Sequence, residues 1–381
     1  MTAATETIHA GAFRQFLQIL NEADWTRQLR EEAFAAFAEM GFPSVKNEDW
    51  KYTNVAPIAN ADWRIELPSR INPVPEGPFG EIFRGFDFER NGFTAMNYAF
   101  AEPYIFRIPK DTNLETPIEF SFATRSGTSA FPHVMVFAEA GSKATIIETY
   151  HGGDRSFTNA AVQVLVEHDS HLTHYRVQKE SAEAFHVGTT EVTLGRGSFY
   201  NATNINLGGA ISRHDAFLKF SDEGAEAFVD GLYMLNGSQH ADTHSVIDHK
   251  VPNCTSHQTY KGVLNDKSRA VFNGKVFVRE NAHGTDAQQS NKNLLLSNDA
   301  RVDTKPQLEI FNDDVKCSHG ATVGQLEEEE LFYLLTRGLP ESLARNLLTY
   351  GFAEEIINKI DIASIKTELD EAVLNRLNAE I

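Results

Sequence analysis

Two residues late in the chain have the types and spacing to do chemistry together. Cys317 and His319 stand two positions apart in Asp313-Asp314-Val315-Lys316-Cys317-Ser318-His319-Gly320-Ala321-Thr322-Val323-Gly324-Gln325. On an extended strand such a pair projects to one face. A thiol and an imidazole side by side can bind soft or borderline metals, and a thiolate can carry sulfur. The plainer reading is a small apolar thiol beside a turn histidine, because free cysteine is often simply buried. The other cysteine, Cys254, lies among His240, His244, His249 and His257. Spacings of 4, 5, 5 and 3 fit no zinc pattern and would send side chains to mixed faces of strands. Solvent-facing turn residues are expected there, and equally at His168, His171 and His174. Two cysteines cannot supply the four thiolates that usually hold an iron–sulfur cluster. Any cluster would need ligands from a partner or other side chains.

Other chemistries lack their signatures. Gly152-Gly153 and Gly208-Gly209 are turns, and neither belongs to a G-x-x-x-x-G-K-[ST] phosphate loop. No G-x-S-x-G nucleophile elbow occurs. The isolated chain is therefore expected not to hydrolyse ATP. The 381 residues carry 34 basic and 53 acidic side chains, a net charge of −19. That balance argues against nucleic acid and against an anionic membrane surface. No apolar run reaches the about 18 residues of a membrane span, and the first residues lack the pattern of a signal peptide. A reduced, cytoplasmic setting is the expectation.

The elements that must position these residues divide into three regions: 1–95, 96–320 and 321–381. Phe13, Phe16, Leu17 and Leu20, then Phe34 and Phe37, follow a helical period up to the stop Gly41-Phe42-Pro43. Asn47-Glu48-Asp49-Trp50-Lys51-Tyr52-Thr53-Asn54 mixes aromatic and charged residues without a period, as a surface segment tucked against the next region would. Residues 64–95, rich in Pro and Gly, read as a connection. From about 100 to 318, short runs such as Val162-Gln163-Val164-Leu165-Val166 indicate strands. Turn pairs Gly141-Ser142, Asp169-Ser170, Gly197-Ser198, Gly224-Ala225, Lys267-Ser268 and Asp299-Ala300 recur at intervals of 28, 28, 27, 43 and 32. A period in the high twenties suits a stacked β-solenoid, with a β-sandwich as the competing arrangement. After the Cys-His pair the pattern turns helical. Glu327–Glu330 suit a helix start, Leu331, Leu334 and Leu335 make a stripe, and Arg337-Gly338 a stop. Pro340 is placed at the first position of the next helix. There Leu348, Phe352, Ile356 and Ile360 form one apolar row, with Leu343 and Leu347 beside it. Two rows imply packing on more than one side. Removal of everything after Gly338 is expected to leave the β region folded.

Three stretches carry a resemblance to a known family. They are Glu48-Asp49-Trp50-Lys51-Tyr52-Thr53, Cys317-Ser318-His319-Gly320-Ala321-Thr322-Val323-Gly324, and Leu331-Phe332-Tyr333-Leu334-Leu335-Thr336-Arg337-Gly338 with the helix that follows. Together they span nearly the whole chain, which resembles the SufB/SufD family of the SUF iron–sulfur cluster assembly scaffold. A short chain with two cysteines is more similar to the SufD branch. The resemblance implies a mainly β fold, with a right-handed parallel β-helix core flanked by N-terminal and C-terminal helical regions. It implies a non-enzymatic scaffold that pairs with SufB through the β-helix and docks the ATPase SufC through its C-terminal helices. Leu331, Leu335, Arg337, Leu348, Phe352 and Ile356 are the expected docking residues. It assigns His319 to the SufB interface where a transient iron–sulfur cluster forms, and matches Cys317 to the cysteine beside it. A SufB/SufD-like homodimer is the alternative within the family. Outside it stand a β-helix enzyme acting on polysaccharide and a metal-dependent enzyme built on His240–His257.

Overall fold

A computed structural model describes residues 3–66 and 73–376. Two helices open the chain, α1 (Ala3–Ile19) and α2 (Asp24–Met40). Phe13, Phe16, Phe37 and Leu20 are buried, as their period requires. Gly41 ends α2 with φ 64°, a left-handed backbone that glycine adopts without a Cβ penalty. A short α3 (Ala56–Ala59) and β1 (Arg64–Ile65) follow, then α4 (Pro78–Arg84) and α5 (Gly92–Phe100).

The stretch read as a connection therefore contains regular structure. Every residue of α5 is buried. Packed on all sides, it shows no polar face and so no amphipathic period to read. A capping box fixes its start: Asn91 accepts from the backbone N–H groups of Phe93 and Thr94, and Thr94 returns a bond to the Asn91 backbone. At its other end the buried Arg30 donates to the carbonyls of Tyr98, Ala99 and Ala101, and pairs with Glu22 at 3.0 Å.

The rest is a parallel β-solenoid. Its strands are β2 (Glu102–Ile108), β3 (Ile118–Thr124), β4 (Thr128–Ala130), β5 (Pro132–Ala138), β6 (Lys143–Gly152), β7 (Phe157–Val166), β8 (His171–Gln178), β9 (Phe185–Leu194), β10 (Phe199–Asn206), β11 (Ile211–Phe220), β12 (Glu226–Leu235), β13 (His240–His249), β14 (Thr255–Leu264), β15 (Arg269–Val278), β16 (Thr285–Leu295), β17 (Arg301–Ile310) and β18 (Val315–Gly324). From β6 onward each coil gives one strand to each of two sheets, ten-stranded and eight-stranded, and pairs in parallel with the coils before and after. The solenoid predicted from the turn spacing is the fold observed.

The spacing also explains its own irregularity. Strands β6, β8, β10, β12 and β14 start 28, 28, 27 and 29 residues apart. Ala225 leads into β12 of the eight-stranded sheet, whereas Ser268 leads into β15 of the other. The interval of 43 thus crosses between sheets. The missed member is Asn253-Cys254, before β14. Gly141, Asp169, Gly197, Gly224 and Asn253 all have positive φ two residues ahead of their strands. A left-handed residue starts each turn, and Asn and Asp tolerate it nearly as glycine does.

Helices α6 (Glu328–Thr336), α7 (Glu341–Ile357) and α8 (Ala363–Arg376) close the described chain. Pro340 stands one residue earlier than expected, at the N-cap of α7. Helix α7 lies on the outer face of the eight-stranded sheet, where Ala353, Ile356, Ile357 and Ile360 join Ile147, Tyr175, Val177, Ile205, Leu232, Met234 and Val263. Lys261 pins it by donating to the Phe352 carbonyl at 3.0 Å and pairing with Glu355, and Lys359 reaches Asp230 at 2.8 Å.

Candidate functional site

The solenoid ends at β17 and β18, each bonded to a neighbour on one side only. Burial alternates along β16, where Thr285, Ala287, Gln289, Asn291 and Asn293 face inward. Pairing in register places Val315, Cys317, His319, Ala321 and Val323 of β18 over that row. By the same alternation Val302, Thr304, Pro306, Leu308 and Ile310 of β17 continue the buried row of β15. These positions form the last layer of the solenoid interior, and no further coil covers them among the described residues. Ile310 and Val323 remain 41% and 47% exposed, which is unusual for inward positions of a β-solenoid. An uncovered edge with an apolar inner row is a template for another chain.

Cys317 and His319 therefore share a face, as i and i+2 on a strand must. His319 lies above Gln289 and is exposed; Cys317 lies above Ala287 and is half-buried against the solenoid core. Burial pushes the Cys317 thiol up, partly offset by a hydrogen bond from the Ala287 backbone, so the thiol keeps its proton at neutral pH. Among the described residues no group of three His, Cys, Asp or Glu is placed to hold a metal ion. The pair is half of a ligand set at most.

The C-terminal residues split between two faces. Leu331 and Leu348 are half-exposed, Leu335 and Arg337 exposed, and no residue of α6 is buried. Phe332 and Tyr333 are 67% and 56% exposed, and Tyr333, Leu334 and Leu348 line a shallow groove with Glu329 and Glu330. Ile356 contradicts its expected docking role. It is fully buried against the solenoid, because with Ala353, Ile357 and Ile360 it covers the apolar outer face of the sheet. Phe352 is half-buried in the same contact, with its ring under Lys261 Nζ. Sequence reasoning missed Phe332 and Tyr333; the signal was aromatic residues beside a leucine stripe in a helix with nothing left to cover them.

The other histidines divide: His168 is the exposed turn residue expected and His171 is exposed at the start of β8, whereas His240, His244 and His257 are half-buried on strands. His174 and His249 lie buried on strands inside the solenoid, and His249 stacks on Phe220. Cys254 is buried, with its thiol toward the carbonyls of Asp222 and Pro252. His240 and His244 flank the docked N-terminal segment. Trp50 is buried there beneath the Arg213 guanidinium at 3.7 Å, and Thr53 donates to Asp242 at 2.5 Å and lies 2.8 Å from His240. Arg213 bridges Asp215 and Asp242 at 2.8 and 2.7 Å and donates to the Asp49 carbonyl. Burial alone would raise the Asp242 carboxyl, but Arg213 and His244 outweigh it and hold it well below the usual range. This is a clasp between regions.

The chain was compared with known proteins. It matches the family model for the SufBD core domain of SUF system FeS cluster assembly over residues 121–352 and that for the SufBD N-terminal region over residues 5–77. An iron–sulfur cluster assembly SufBD family protein of Synechocystis is 38% identical over 279 residues, covering 70% of this chain and 62% of the relative. The iron–sulfur cluster assembly protein SufD of Escherichia coli is 35% identical over 252 residues, 66% of this chain and 59% of the relative. A SufBD family protein of Mycobacterium leprae is 28% identical over 370 residues, 90% of this chain and 93% of the relative. The match thus spans about three fifths of the first two relatives' length and nearly all of the third's.

Proposed function

The chain belongs to the SufBD family of SUF-system iron–sulfur cluster assembly proteins, and from that premise we propose that it works as a SufD-type scaffold subunit, without catalysis of its own. It pairs with SufB through the open end of the solenoid. The observation that carries this reading is the uncovered last coil, with Ile310 and Val323 exposed at positions that every earlier coil buries. Strands of a partner added at that end would cover the inner row and complete the stack. His319 then stands at the seam with Cys317 beside it, and the nascent cluster is cargo held between two chains. Its remaining ligands come from SufB. Helix α6, apolar and unburied, is the docking surface for SufC.

The test is co-expression with SufB and SufC. Ile310→Asp together with Val323→Asp puts two carboxylates into the seam and leaves the coils beneath it unchanged. The doubly substituted chain is expected to fold and bind SufC but to lose SufB. If SufB still co-purifies, pairing occurs elsewhere. A wild-type chain that forms a stable homodimer and ignores SufB would assign the same end to a homodimeric scaffold.

A further inference from the structure

The N-terminal region covers the outer face of the ten-stranded sheet incompletely. Where the segment from α4 to Arg90 meets β7, β9, β11 and β13, a cleft of about 460 Å³ remains. That volume is within the range of small-molecule sites. Neither the last coil nor the α6 surface includes it. Strand register builds its floor. Gln163, Glu191, Phe217 and Val246 stand side by side in one row, and Thr193, Lys219 and Asp248 in the next. Val192 and Leu218, between the two rows, point the other way into the solenoid core.

The walls are fixed before any ligand arrives. Gln163 donates to the Ile82 carbonyl at 2.6 Å, and its side-chain oxygen lies 2.9 Å from His133. The Arg90 guanidinium rests 3.6 Å from the centre of the Phe217 ring and pairs with Glu191 at 2.7 Å and Asp87 at 3.4 Å. The border segment is thus tied to the sheet at both Ile82 and Arg90, so binding has little order to impose. Burial pushes the Glu191 carboxyl up even with Arg90 against it, a sign that water reaches this floor poorly. A contact between charges is stronger in such a place than in open water.

The groups that the cleft leaves free define its ligand. Gln163 and Glu191 are already bonded to protein partners. The side chains of Thr193 and Lys219 make no hydrogen bond or ion pair among the described residues. Beside Lys219 stands Asp248, whose carboxylate is shared by Arg279 at 2.7 Å and Lys250 at 3.4 Å. Three cations around one carboxylate leave this end with an excess of positive charge, on a chain of net charge −19. The opposite end carries Glu81 and Asp87 and repels anions. Between the ends Phe217 and Val246 offer half-buried apolar surface. Along the strand, Lys219 stands about 7 Å from Phe217, two residues on.

We propose that the cleft binds a small organic carboxylate, with its charged head at Lys219 and Thr193 and its apolar body against Phe217 and Val246. The site is separate from the last coil and does not depend on the scaffold reading.

The experiment titrates octanoate into the isolated full-length chain, labelled at its Ile, Leu and Val methyl groups and followed by NMR. Ile82→Val and Val246→Ala variants assign the two reporter signals. Octanoate is expected to shift both saturably, with a Kd below about 1 mM. Octylamine, equal in length and opposite in charge, should leave them in place. Lys219 is exposed, so Lys219→Glu should fold as the wild type does. It should weaken octanoate binding by about tenfold or more, because a charge-assisted bond is replaced by repulsion. Absence of shifts at Ile82 and Val246 overturns the site, as do shifts confined to Ile310 and Val323 of the last coil. Equal binding of octylamine, or undiminished octanoate binding in Lys219→Glu, overturns it as well.

Discussion

At the scale of single residues, buried histidines set how the fold responds to acid. Burial pushes His133 and His249 down to about 4 from an unfolded value near 6.5. Between those pH values the unfolded chain binds more protons than the folded one. Stability is therefore full above the unfolded value and is lost as pH falls toward about 4. Each group is worth about 3 kcal/mol across that window. Denaturant midpoints measured from pH 7 to pH 4 should fall steeply, and less steeply in a His133→Gln, His249→Gln double variant. Equal slopes in the two proteins would contradict the burial of these rings as neutral groups. Arg213 offers a second residue-scale test. Arg213→Leu leaves Asp215 and Asp242 buried without their cation and should cost about 3–5 kcal/mol, read as a lowered melting temperature. A change under about 0.5 kcal/mol, typical of surface substitutions, would mean that the clasp is not closed in solution. Little of this was legible in the sequence. A histidine has no periodic signature, so His174 and His249 looked like turn residues until register placed them inside a coil.

Elements were more legible than residues, for a physical reason. The turn that starts each coil needs a left-handed residue, and Gly, Asp or Asn supplies it at a constant interval. The repeat could be read from those residues before any strand was assigned. The buried helix α5 was not legible, because a helix enclosed on all sides has no polar face to set a period. The two apolar rows of α7 did predict contact on two sides, but not which side faced the solenoid. Ile356 shows the difference: its row divides along its length, Phe352, Ile356 and Ile360 packing on the sheet while Leu348, at its start, lines the groove beside α6, so docking is left to α6 with Leu347 and Leu348. Cutting the chain after Gly338 would expose Ile147, Ile205, Leu232, Met234 and Val263 at once, and we expect that truncation to aggregate rather than leave the β region folded. Point changes are the cleaner test. Phe332→Asp with Tyr333→Asp should abolish SufC binding and shift the melting curve little, because neither ring is buried. Retained binding in a pull-down would move the docking surface away from α6.

At the scale of the whole molecule, the chain is a stack whose last coil is left uncovered among the described residues. Helices cover parts of the outer faces of both sheets, yet the last inner row is left open. The Cys-His pair was visible in the sequence because i and i+2 on a strand always share a face. That the face looks into the uncovered end could be known only once the coils were counted and placed in register. A scaffold of this design has no phosphate loop, and the purified chain is expected to show no ATP turnover above a protein-free control. The most direct measurement concerns the seam itself. Wild-type, Cys317→Ala and His319→Ala chains are co-expressed with SufB and SufC and purified anaerobically. Iron and acid-labile sulfide per complex are then determined, with a melting curve for each. His319→Ala should leave the complex assembled and the melting curve within about 0.5 kcal/mol of wild type, as for other exposed positions, while bound iron and sulfide fall. Cys317→Ala should have a smaller effect. A His319→Ala complex that carries as much iron and sulfide as wild type would contradict the cluster seam at the open end of the solenoid.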